Sequence, residues 1–191
     1  MQLDKNAEWL ENVNRVVSPN CDARPDGAGI DLLVIHSISL PPGEYGGSYI
    51  DQLFTNTLSK EEHPYFAQVA DLRVSSHLMI NRRGRITQYV PFSSRAWHVG
   101  RSAFNGREEC NDYSIGIELE GCDDTPYTRE QYRVLAAVTR LLMSNWPAIK
   151  KDHIVGHCDI APGRKTDPGP AFDWKAFFKL LDDESGNGDR I

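Results

Sequence analysis

Leu32-Leu33-Val34-Ile35 is a continuous apolar run rich in β-formers, set between Gly27 and Gly29 on one side and Pro41-Pro42-Gly43 on the other. A short run with such borders predicts a buried central strand, here ending on His36. Residues 114–120 alternate instead, with Ile115, Ile117 and Leu119 on one face and Gly116, Glu118 and Glu120 on the other. That strand places two carboxylates on the same side of a sheet. Leu78-Met79-Ile80 and residues 86–90 flank Arg82-Arg83-Gly84-Arg85, a turn signal that predicts an antiparallel hairpin with its arginines in solvent.

Residues 128–145 carry the helical period. Leu135, Val138, Leu141 and Leu142 form one stripe, and Thr128 with Gln131 three positions later has the spacing of a capping box. Ala176, Phe177, Leu180 and Leu181 make a second stripe over 174–181, and 48–55 is a third helical candidate. Strands and helices are interspersed, but the hairpin interrupts any regular βαβ repeat. The expected fold class is therefore α/β (mixed α+β): one domain with a central mixed β-sheet flanked by helices. A length of 191 residues suits one domain, taken as 1–181, with the polar stretch 182–191 read as a disordered tail.

Composition narrows the partners. Twenty-one Lys and Arg against 27 Asp and Glu leave a net charge of −6, which argues against electrostatic nucleic-acid binding. No apolar stretch approaches the ~18–20 residues of a membrane span. Taken as a native start, the first residues lack the basic-then-apolar order of a secretory signal, so a cytosolic location is expected. Cys21, Cys110, Cys122 and Cys158 form no C-x-x-C pair and read as reduced thiols. Nothing in the pattern implies an oligomer.

Of six histidines, His36 stands at a predicted strand end, where ligand sites commonly form. His157 follows the short apolar run Ile154-Val155-Gly156, and Asp167 lies ten residues on, in a loop punctuated by Pro162, Gly163, Pro168, Gly169 and Pro170. Two histidines and a carboxylate leave a fourth position open for water, as in a hydrolytic zinc site. Spacing alone does not separate that site from three unrelated polar residues.

Longer phrases do. Val34-Ile35-His36-Ser37 with Leu40-Pro41-Pro42-Gly43, then His63-Pro64-Tyr65-Phe66, Ala96-Trp97-His98-Val99-Gly100, Cys110-Asn111-Asp112-Tyr113 leading into 114–121, and Gly156-His157-Cys158-Asp159 through Lys165-Thr166-Asp167-Pro168-Gly169-Pro170 occur in order over about 19–178. Together they resemble the zinc N-acetylmuramoyl-L-alanine amidases, a superfamily shared with peptidoglycan recognition proteins. The resemblance is greatest to the branch that recycles anhydro-muropeptides in the cytosol.

The resemblance implies one Zn2+ per chain at one edge of the sheet, held by His36, His157 and Asp167. It also implies Glu118 as acid/base, with Glu120 on the same face as its rival, Lys165 beside the developing oxyanion, and Tyr65 lining the site. The implied substrate is an anhydro-muropeptide, whose removal quiets β-lactamase induction in some bacteria. Its sugar and carboxylates would meet Trp97, His98, Ser37, Arg73, Arg107 and Arg164, with Arg95 and Arg101 as further candidates, since arginine's planar fork suits carboxylates. Ser37 stands where many members carry Asn, and Glu109 where a basic residue is expected to help hold the peptide. A lytic amidase acting on polymeric wall and a non-catalytic receptor are the alternatives; the full set of three ligand types counts against the receptor.

Overall fold

A computed structural model describes residues 1–183. In chain order it contains β1 (Asn14–Arg15), β2 (Cys21–Ala23), β3 (Leu32–Ile38), α1 (Tyr49–Phe54), α2 (Phe66–Val69), β4 (Leu78–Ile80), β5 (Ile86–Gln88) and β6 (Ser94–Ala96). There follow β7 (Ala103–Phe104), β8 (Arg107–Glu108), β9 (Ser114–Glu120), α3 (Arg129–Asn145), β10 (Ile154–Gly156), α4 (His157–Ile160) and α5 (Trp174–Asp182). Asp182 closes α5, so the helix runs one residue past the expected domain end; 184–191, the rest of the expected tail, lie outside the described residues.

The main sheet has six strands in the order β1-β5-β4-β9-β3-β10, antiparallel only between β4 and β5. It is the mixed sheet that the sequence predicts. On one face Leu33, Ile35, Ile115, Ile117 and Leu119 pack against Leu135, Val138 and Leu142 of α3 and Phe177 of α5. On the other, Leu32 and Val34 meet Val99 and Ile160, while Met79 joins Ile50, Leu53 and Phe54 of α1 and Phe66 of α2. Both faces are covered, so all seven residues of β9 are buried, the two carboxylates included. Each large apolar side chain so placed contributes roughly 1.5–3 kcal/mol.

Local chemistry accounts for the ends of these elements. The Thr128 Oγ1 accepts from the Gln131 N–H and the Gln131 Oε1 from the Thr128 N–H, both at 3.1 Å, which completes the capping box of α3. The Gln131 Nε2 then donates to the carbonyls of Ile80 and Glu120, tying the helix to β4 and β9. In the hairpin turn the Asn81 Oδ1 accepts from the N–H groups of Arg83 and Arg85, and Gly84 takes a φ of +74°, which favours glycine. Arg82 is not solvated as expected: its guanidinium stacks on Tyr45 and donates to the Pro126 carbonyl.

β3 also extends beyond the expected end at His36. Parallel pairing with β9 continues through Ile38, opposite Glu120, and this places His36 within the strand, directly across from Glu118.

Candidate metal centre

Three elements meet at the edge strand β10. His36 comes from β3; His157 opens α4 at the end of β10; and Asp167 returns to the same spot because the Cys158 N–H donates to the Asp167 carbonyl at 3.0 Å, closing the intervening loop. Beyond Asp167 the chain turns at Gly169, whose φ is +80° and where a Cβ would lie 2.2 Å from the Cα of Asp123. A side chain there would force the turn away from its neighbour.

The Nδ1 atoms of His36 and His157 lie 3.1 Å apart, and each is 3.0 Å from the Asp167 Oδ2. These three make up the one group of potential ligands that converges in this way among the described residues, and Cys158 is not part of it. The surrounding network assigns the protons. The His157 Nε2 faces the Val99 carbonyl at 3.2 Å and must donate to it, which leaves its Nδ1 as a lone pair. The His36 Nε2 faces the His98 Nδ1 at 2.9 Å, so a cation held on the His36 Nδ1 would make the Nε2 the donor of this bond. Two imidazole nitrogens and a carboxylate oxygen thus point at one another, a donor set that suits a cation between them.

Burial sets the charge states. It lowers the His36 imidazole to about 4 and holds His98 well below its usual value, so both are neutral. Burial raises Glu118 well above its ordinary value; the charge of Asp167 adds to the rise and Lys165 opposes it. The Glu118 Oε2 is buried without a hydrogen-bond partner.

These groups open onto a cavity of about 610 Å3, lined by His36, Glu118, His157 and Asp167 and by the expected Ser37, Tyr65, His98, Arg164 and Lys165. Leu53, Phe54, Val69, Leu72 and Val74 also line it, and none of them carries a signal in the sequence that would mark it as part of a site.

Five of the candidate contacts, Arg73, Arg95, Trp97, Arg101 and Arg107, are not among the residues that line the cavity. Arg107 pairs with Asp31 and stacks on Tyr113. Arg73 reaches Asn56 from an exposed position. Trp97 is half-buried, with its backbone N–H bonded to the Ser75 hydroxyl. Arg95 is engaged by Asp22 and Asp112. Arg101 and Glu109 line a separate recess of about 690 Å3, which Arg164 also borders.

The family of N-acetylmuramoyl-L-alanine amidases matches residues 26–170. The 1,6-anhydro-N-acetylmuramyl-L-alanine amidase AmpD of Salmonella typhimurium (strain SL1344) is 60% identical over 173 residues, covering 91% of this chain and 92% of that protein. A crystal structure of a Se-Met AmpD derivative is 57% identical, with a TM-score of 0.91 over 95% of this chain and 99% of that one. The N-acetylmuramyl-L-alanine amidase AmiD from E. coli, solved in complex with the substrate anhydro-N-acetylmuramic acid-L-Ala-D-gamma-Glu-L-Lys, is 31% identical, with a TM-score of 0.58 over 81% of this chain and 59% of that one. The chain belongs to the N-acetylmuramoyl-L-alanine amidase family.

Proposed function

We propose that this protein is a zinc-dependent amidase that cuts the bond between anhydro-N-acetylmuramic acid and L-Ala in muropeptides, acting in the cytosol on fragments released during wall recycling. The observation that carries this reading is the convergence of two imidazole nitrogens and a carboxylate oxygen beside a buried glutamate oxygen with no partner among the described residues. Tetrahedral zinc with bonds of about 2.0–2.1 Å sets its ligands ~3.3 Å apart, close to the 3.0–3.1 Å found here. His36, His157 and Asp167 would hold the ion, which when bound supplies Lewis acidity, polarising a carbonyl and acidifying water.

The chain's own groups account for the rest. Water adds to the carbonyl carbon of the muramic lactyl group, and Glu118 takes its proton at the Oε2, which no protein group occupies. Glu118 then delivers that proton to the amide nitrogen as the C–N bond breaks, leaving a carboxylic acid on the sugar and a free amine on L-Ala. A neutral leaving amine is what makes the step possible. Lys165 places positive charge where the carbonyl oxygen becomes anionic, worth ~3–4 kcal/mol in comparable sites. Tyr65 and Ser37 line the same cavity and border the path of the substrate.

Two measurements test this reading. Mass spectrometry of digests should show peptide released from anhydro-muropeptide, with little from intact sacculi. Efficient clearing of sacculi would replace it with the lytic reading, and no cleavage of either would remove the activity.

A further inference from the structure

Resting on that metal-centre reading, we propose that the loop 98–101, which contributes no ligand, fixes both ligand imidazoles, with His98 as the positioning residue for His36. With a metal on its Nδ1 the His36 Nε2 carries the proton and donates to the His98 Nδ1, 2.9 Å away, and the His98 Nε2–H then donates to the Ser114 Oγ at 3.1 Å. Both His98 nitrogens are thereby used inside the protein, and neither is free for a substrate. The next residue serves the other imidazole through its backbone, as the Val99 carbonyl accepts from the His157 Nε2.

The loop is built to hold that pose. The Asn111 Oδ1, buried, accepts from the N–H groups of both His98 and Val99 at 3.1 Å. The Arg164 Nη2 donates to the carbonyls of Val99 and Arg101, each at 2.6 Å. The His98 ring stands edge-on to His36, at 81°, over Gly116 of β9, where a Cβ would come within 2.5 Å of the His98 Nδ1. Glycine at that strand position is what lets the ring approach. A ligand imidazole whose other nitrogen is held by a partner keeps its tautomer and orientation, and loss of such a partner typically costs about 10–100-fold in metal affinity.

The test is a zinc titration against a competing chelator, with no substrate present, on the wild type, His98→Leu, His98→Asn and His36→Ala, repeated with cobalt for its visible spectrum. His98→Leu should bind about 10–100-fold more weakly with an altered cobalt spectrum. His98→Asn, whose amide oxygen falls near the lost Nδ1, should recover most of the affinity. Wild-type affinity and spectrum in His98→Leu would overturn the proposal. If His98→Leu does not fold, Arg164→Met, at an exposed position, should weaken zinc in the same direction, and an unchanged affinity there would overturn it. Retention of wild-type affinity by His36→Ala would instead mean that the metal-centre reading itself has failed.

Discussion

Two carboxylates two residues apart on one face of β9 have opposite surroundings. Glu118 is 8% exposed and Glu120 is 4%, so burial does not distinguish them. Partners do. Glu120 accepts from the Gly46 N–H on one oxygen and from the Arg82 N–H on the other, clamping the loop after β3 to the hairpin turn. Glu118 has one oxygen with nothing to accept from and faces the cavity beside His36 and Lys165. A buried polar group that is fully bonded holds the structure together, while one left unbonded at a cost of roughly 1–3 kcal/mol marks a place kept for chemistry. The end of β9 nearest the turn is a brace, and its middle is a site.

The largest expected effect breaks the site half of that comparison. Glu118→Gln should lower turnover about 10²–10⁴-fold with metal content unchanged and no fall in thermal midpoint, since no hydrogen bond of the Oε2 is lost. Near-normal turnover would return Glu118 to the structural class. Next, Glu120→Ala should cost about 2–4 kcal/mol in urea unfolding because two charge-assisted bonds are lost; a loss under ~0.5 kcal/mol would remove its role as a clamp.

His77 extends the rule to a third buried group. Its Nδ1 accepts from the Gly116 N–H and its Nε2 donates to the Ser94 carbonyl, and burial, reinforced by Arg24, lowers it to about 3. Between pH 6.5 and 3 the unfolded chain takes up a proton that the folded chain refuses. Stability is therefore present above pH 6.5 and lost as pH falls, at up to about 1.4 kcal/mol per pH unit for this group. Denaturation midpoints from pH 7 to 5 should fall less steeply in His77→Gln, and parallel slopes would contradict the assignment. The smallest effect lies far from the cavity. Thr128→Ala should cost about 1 kcal/mol with turnover per folded molecule unchanged.

Much of this was legible from periodicity. The seven alternating residues of β9, the apolar run of β3, the hairpin and the two amphipathic helices α3 and α5 each repeat their pattern long enough to declare themselves. β1, β2, β6, β7 and β8 are two or three residues long and half-buried or exposed over most of their length, so no alternation develops. The three converging side chains could be named from residue type and family resemblance, but their support could not. A carbonyl such as that of Val99 has no side-chain signature, and Asn111, which accepts from the N–H of the same residue, lies twelve residues away. The partners of the arginines were hidden for the same reason. Arg95 and Arg107 have the chemistry for a carboxylate ligand, and in the structure they pair with Asp22 and Asp31, more than seventy residues earlier.

The central claim is that His36, His157 and Asp167 close on one zinc ion. The most direct test is elemental analysis of the purified, dialysed chain beside Asp167→Ala. Close to one zinc per wild-type molecule and almost none in the variant is the expected result. A folded wild type without zinc that cannot take it up, or a variant that keeps a full equivalent, would contradict it.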